Sequence, residues 1–85
     1  MTEEEVAERI ETFVREHFKV SADDPGFDRT ADLFERGYVD SVGFVEMLEF
    51  VREEFGVEVP EEDLMSDEFT SIDGMATVIA RLSGS

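Results

Sequence analysis

Asp40-Ser41-Val42-Gly43-Phe44-Val45-Glu46-Met47-Leu48-Glu49-Phe50-Val51-Arg52-Glu53-Glu54-Phe55-Gly56 reads as one helix with both of its ends marked. Asp40 is a good N-cap, and Gly56 stands where a C-terminal glycine cap belongs. At about 100° per residue, Phe44, Met47, Leu48, Val51 and Phe55 share one face, which is the face to bury. The opposite face carries Val42, Glu46, Glu49 and Glu53, with Val45 at its edge. The helix is therefore acidic outside, with two exposed valines near its start.

Upstream, Thr2 followed three residues later by Glu5 forms a capping box, and Val6, Ile10, Phe13, Val14 and His17 recur at helical spacing. This predicts a first helix over residues 3–18. Between 19 and 40 the periodicity fails and turn chemistry takes over, in Asp23-Asp24-Pro25-Gly26 and Gly37. The long connection holds Phe27, Leu33, Phe34 and Tyr38, so it is expected to pack down, with a helical turn near Asp32 to Arg36. Downstream, Val57-Glu58-Val59 alternates too briefly for a strand. Pro60-Glu61-Glu62-Asp63-Leu64 reads as a short, proline-initiated helix with an acidic first turn. Thr70 or Ser71 caps a last helix whose buried stripe is Ile72, Met75, Ala76, Ile79 and Leu82. Residues 83–85 form a frayed tail.

The expected fold is all-α: a small four-helix bundle of three main helices and one short one, with a long first loop, in a single domain over 1–85. The 85 residues suit one small core, and a 41% apolar content with eight Phe is enough to fill it. Against 23 acidic side chains stand 7 basic ones, a formal charge of -16. Such a chain repels nucleic acid and anionic membranes, favours protein partners with basic patches, and opposes self-association, so a monomer is expected. The absence of cysteine excludes disulfides, thiolate metal sites and a cysteine nucleophile. No apolar run approaches the roughly 18 residues of a membrane span. Met1-Thr2-Glu3-Glu4-Glu5 lacks the basic start of a signal peptide, which leads us to expect a cytoplasmic protein.

Ser41, the first residue inside the 40–56 helix, lies where unpaired N–H groups and the helix dipole favour an anion, so a phosphodiester on its hydroxyl would sit in a suitable field. No base adjoins it in sequence, and His17 is the only histidine. A self-activated nucleophile is a poor reading; modification by a second enzyme is a better one.

The run Asp32-Leu33-Phe34-Glu35-Arg36-Gly37-Tyr38-Val39-Asp40-Ser41-Val42, followed by the helix ending Glu53-Glu54-Phe55-Gly56-Val57, resembles the acyl carrier and peptidyl carrier protein superfamily. The resemblance extends to the Val59-Pro60 short helix and the lead from Phe69 to Ile72. It implies a helix bundle in which Ser41 bears 4'-phosphopantetheine, installed from coenzyme A by a phosphopantetheinyl transferase, with Asp40 capping the helix that presents it. The group's thiol would hold an acyl or aminoacyl unit as a thioester. An adenylating loading enzyme would charge it, and acyltransferase, condensing or tailoring enzymes would follow. Val42, Val45, Glu46 and Glu49 would meet these partners, and the helical wheel independently exposes the same four. Small apolar anchors ringed by acids suit brief visits to basic partners, since charge speeds encounter more than it tightens binding.

The chain departs from carriers of fatty acid synthesis, which usually have Leu after the serine and an acid one residue later. Here those positions are Val42 and Gly43, and Gly43 costs about 1 kcal/mol of helix propensity relative to alanine. The Leu-Phe-Glu-Arg-Gly segment looks closer to discrete D-alanyl carriers or stand-alone carriers of secondary metabolism. Phe44, one turn past Ser41, is read as core packing, or as a limit on how far a long acyl chain enters the bundle. His17, on the apolar stripe, is read as a packed or helix-capping histidine rather than an acid-base group. A calcium-binding EF-hand starting at Asp23 fails, because Pro25 and Phe27 stand where oxygen ligands belong and Phe34 takes the place of the closing Glu; no metal site is expected. From Asp40 to Phe69 the acids face a single base, Arg52, which reads as a solvated and docking face. The competing function is an acidic adaptor or nucleic-acid mimic with Ser41 unmodified.

Overall fold

The computed structural model describes residues 2–84. Four helices follow in order: α1 (Glu3–His17), α2 (Ser41–Phe55), the short α3 (Glu61–Leu64) and α4 (Ile72–Leu82), with a 3-10 helix at Asp67–Thr70 between the last two. No strand occurs among the described residues. The architecture is all-α, as the periodicity predicts, with α1 and α4 the closest helix pair.

Each main helix starts on a side-chain cap. Thr2 accepts the Glu5 amide while Glu5 reaches back to the Thr2 amide, completing the capping box. Asp40 accepts the Gly43 amide at 2.7 Å, and Ser71, rather than Thr70, accepts the Gly74 amide at 3.1 Å. Gly56 ends α2 in the left-handed conformation with φ 66°. Pro60 sits at the N-cap of α3, one place earlier than expected. α1 stops at His17, with Phe18 as its C-cap. The next residue, Lys19, adopts φ 54°, and the Val20 amide bonds back to the Arg15 carbonyl at 3.0 Å, a Schellman closure in which lysine takes the usual place of glycine.

The core joins Val6, Ile10 and Val14 of α1, Met47 and Val51 of α2, and Ile72, Met75, Ala76, Val78 and Ile79 of α4, all buried. Phe44, Leu48 and Phe55 pack against this core half-exposed. Leu82 is likewise half-buried.

The long connection is tied down, as its apolar content suggests. Phe27 and Leu33 are buried, and Phe34 and Tyr38 half-buried. Asp32 accepts the Phe34 and Glu35 amides at 2.9 Å, starting a turn that ends at Gly37 with φ 80°. The Leu33 amide bonds to the Thr70 carbonyl and the Asp73 amide to the Arg29 carbonyl, both at 2.9 Å, which fastens the loop to the start of α4. Arg29 reaches Glu4 and Glu11 on α1, each at 2.8 Å, while Arg15 binds Glu11 and lies over the Phe27 ring. The hydrogen bond from Arg29, more than that from Arg15, holds the Glu11 carboxyl below the usual carboxylate range. In the expected tail, Ser83 and Gly84 still bond to the last turn of α4, through the Ile79 and Arg81 carbonyls; Ser85 lies outside the described residues.

Candidate functional site

Ser41 is the first residue of α2 and is exposed. With Asp40 holding the Gly43 amide and the Phe44 amide on the Asp40 carbonyl at 2.8 Å, the amides of Ser41 and Val42 are left without partners within the helix. No side chain hydrogen-bonds to the Ser41 hydroxyl among the described residues.

Beside Ser41 opens a cleft of about 760 Å³ between the 34–41 segment and the α3 to 3-10 stretch. Phe34, Phe44, Leu64, Met65 and Phe69 supply its apolar walls, and Asp40, Ser66, Asp67 and Thr70 its polar ones. Phe44 stands edge-on to Phe34 at 5.3 Å and to Phe69 at 6.0 Å, so three rings interlock along the wall nearest the core.

Val42 and Val45 are 69% and 56% exposed, and Glu46 and Glu49 are exposed as well. The remaining exposed large apolar side chain among the described residues is Met65, at 80%, on the far side of the same cleft. Sequence reasoning missed it, because a helix of four residues has too short a period to say which way the residue that caps its end faces. The exposed apolar groups thus border the serine from two sides.

His17 differs from its expected place on the buried stripe. It is exposed, stacked on Phe13 at 4.8 Å, and its Nε2 lies 3.1 Å from Glu46 Oε1, so it links α1 to the acidic face of α2. The reason is Phe50, which stacks on the other available surface of Phe13 at 4.2 Å and leaves the histidine at the rim. Gly43 was also missed: it is buried, against the ring of Phe18. Among the described residues, no group of three or more His, Asp or Glu side chains could hold a metal ion, and no helix is long and apolar enough to cross a membrane.

The arrangement offers an outward serine, unpaired helix-end amides able to face an anion, and an apolar cleft alongside. No curated protein matches the chain. A protein-family profile described as a phosphopantetheine attachment site does match it, over residues 8–79, which reaches into all four helices and includes Ser41. The chain therefore belongs to the phosphopantetheine-attachment family of carrier proteins, whose members carry a covalently attached 4'-phosphopantetheine.

Proposed function

We propose that Ser41 is the attachment residue and that the chain, as a single domain, works as a free-standing acyl or aminoacyl carrier. The observation that carries this reading is the exposed, unpartnered Ser41 hydroxyl at the head of α2 beside an apolar cleft. The residues fit the group. The serine oxygen can take the phosphodiester, the Ser41 and Val42 amides face its charge, and the cleft has apolar walls for the arm. When bound, the group supplies the thiol that this cysteine-free chain lacks, and so a site for a thioester.

In the loading step the Ser41 oxygen attacks the pantetheine-bearing phosphorus of coenzyme A. The serine O–P bond forms, the P–O–P bond breaks, adenosine 3',5'-bisphosphate leaves, and the serine proton passes to the transferase. The Asp40 carboxylate next to Ser41 is taken up by the Gly43 amide, and His17 is paired with Glu46, so proton removal falls to the transferase. The carrier is then a substrate of other enzymes rather than an enzyme. Val42, Val45, Glu46 and Glu49 on one side and Met65 on the other form the docking surface, apolar at its centre and acidic at its margin, suited to basic partners. These partners are an adenylating loading enzyme and acyltransferase, condensing or tailoring enzymes.

The interlocked Phe34, Phe44 and Phe69 rings favour short or aminoacyl cargo over long acyl chains, and so a pathway outside routine fatty acid synthesis, in secondary metabolism or D-alanylation. Incubation with coenzyme A and a broad-specificity phosphopantetheinyl transferase, read by intact mass, tests the reading. The expected result is a gain of one phosphopantetheine, lost in Ser41→Ala. No gain on the wild-type protein would point instead to an acidic adaptor. Loading with a long-chain acyl group should leave the bundle's amide resonances unchanged; shifts at Met47 and Met75 would refute the exclusion of long cargo.

A further inference from the structure

Phe18 ends α1, and its ring meets the first turn of α2 at a residue without a side chain. A Cβ built on Gly43 would lie 2.5 Å from Phe18 Cε1 and 3.0 Å from Cζ, closer than real side chains approach. The ring therefore rests on bare backbone, two residues from Ser41. It has little room to swing away. It stands edge-on to Phe13 at 6.1 Å and to His17 at 5.0 Å, and Phe13 is itself stacked on Phe50 of α2. On the helix side, the Asp40 carboxylate would lie 3.2 Å from the same Cβ while holding the Gly43 amide. One turn further along α2, His17 is paired with Glu46. His17, the last residue of α1, and its C-cap Phe18 thus grip the first two turns of α2. A glycine inside a helix is unfavourable by itself, and close approach of another group is the usual reason for one.

We propose that Phe18, seated on Gly43, is a positioning residue: it sets the height and rotation of the first turn of α2, and thereby the presentation of the Ser41 hydroxyl to the phosphopantetheinyl transferase. The proposal rests on Ser41 being the attachment residue. Phe18 touches neither the serine nor the incoming group. It acts through the backbone of residues 41–43, where a displacement of about 1 Å is enough to slow a transfer substantially.

The test is a size-exchange cycle, with loading followed by intact mass under initial-rate conditions. Gly43→Ala pushes on the ring, and Phe18→Leu removes the ring atoms in the way. Each single variant is expected to lower the kcat of loading by about tenfold or more, with the KM for the carrier changed by less than about threefold. The double variant Gly43→Ala/Phe18→Leu, in which the added methyl fills the space the ring vacates, should return to within about threefold of wild type. Ile79→Val, a core truncation on α4, should load like wild type even though it melts earlier. Far-UV circular dichroism accompanies each variant, and the Phe18→Leu arm adds no atoms, so the cycle does not depend on Gly43→Ala folding. Wild-type loading rates in both single variants, a double variant no faster than the slower single, or an equal loss in Ile79→Val would overturn the positioning role. Failure of the wild-type protein to load at all would overturn the attachment reading itself, a distinct outcome.

Discussion

Asp40 couples the helix to the serine that it presents. Its carboxylate accepts the Gly43 amide at 2.7 Å and its carbonyl the Phe44 amide at 2.8 Å, so the first turn of α2 is built on this residue. Asp40→Ala should lower stability by about 1 kcal/mol. For a domain of this size that is a melting temperature about 4–8 °C lower. Asp40→Asn keeps an acceptor oxygen and should recover most of the loss in the same thermal melt. This cap was legible in the sequence, as was Gly56, because each depends on neighbours within a few residues. Gly43 was legible only as a cost. Its reason is Phe18, which no local pattern connects to it. His17 followed the same rule: helical spacing placed it on the stripe, but whether a stripe residue is covered depends on what the facing helix brings, and here Phe50 covers Phe13 instead.

Among the elements, the 3-10 helix was the one the sequence did not announce. Four residues cannot display a period, and Phe69 read simply as a lead into α4. Its placement depends on Gly74, whose missing side chain lets the first turn of α4 lie against the Glu68 carbonyl: a Cβ there would come within 1.7 Å of that oxygen. The obstacle is backbone, which cannot rotate aside as a side chain can. Gly74→Ala is therefore expected to destabilise by about 1–3 kcal/mol, seen as a lower urea midpoint, despite alanine's better helix propensity. An unchanged midpoint would mean that the 3-10 helix moves freely. The displacement should also reach the cleft, since Asp67, Phe69 and Thr70 line it. The long helices were predicted to within a residue or so, because 11 to 15 residues give the 3.6-residue period room to show. α2 was the least faithful of them: its apolar face is wider than a single stripe, with Phe50 half-buried against Phe13 of α1 and Phe44 half-buried against Phe34 of the loop.

For the molecule as a whole, charge sets the terms. A formal charge of -16 on 85 residues means that the folded state carries strong self-repulsion, while ion pairs such as Arg9–Glu54 lie at the surface, where each contributes little. Raising salt should therefore raise the melting temperature, because screening relieves more repulsion than it weakens pairing. Lowering the pH acts in two opposed ways. Protonating the free carboxylates relieves repulsion, but Glu11, held below its ordinary value of 4.5 by Arg29 and Arg15, gives stability that is fully present above that value and lost as pH falls through the depressed one. Stability should thus improve on mild acidification and then fall, and Glu11→Gln should lessen that fall; urea midpoints across the acid range decide this. The Schellman turn at the end of α1 has a bearing on chemistry as well as shape. Lys19, held there with φ 54°, is the chain's single lysine, in a sequence with no cysteine and one histidine that is paired to Glu46. A protein proposed to hold an energy-rich thioester within reach of its own surface therefore offers that acyl group a single lysine amine and no thiol to react with. Losses of cargo to the carrier itself would thus be narrowed to one side chain, and Lys19→Arg would remove that amine.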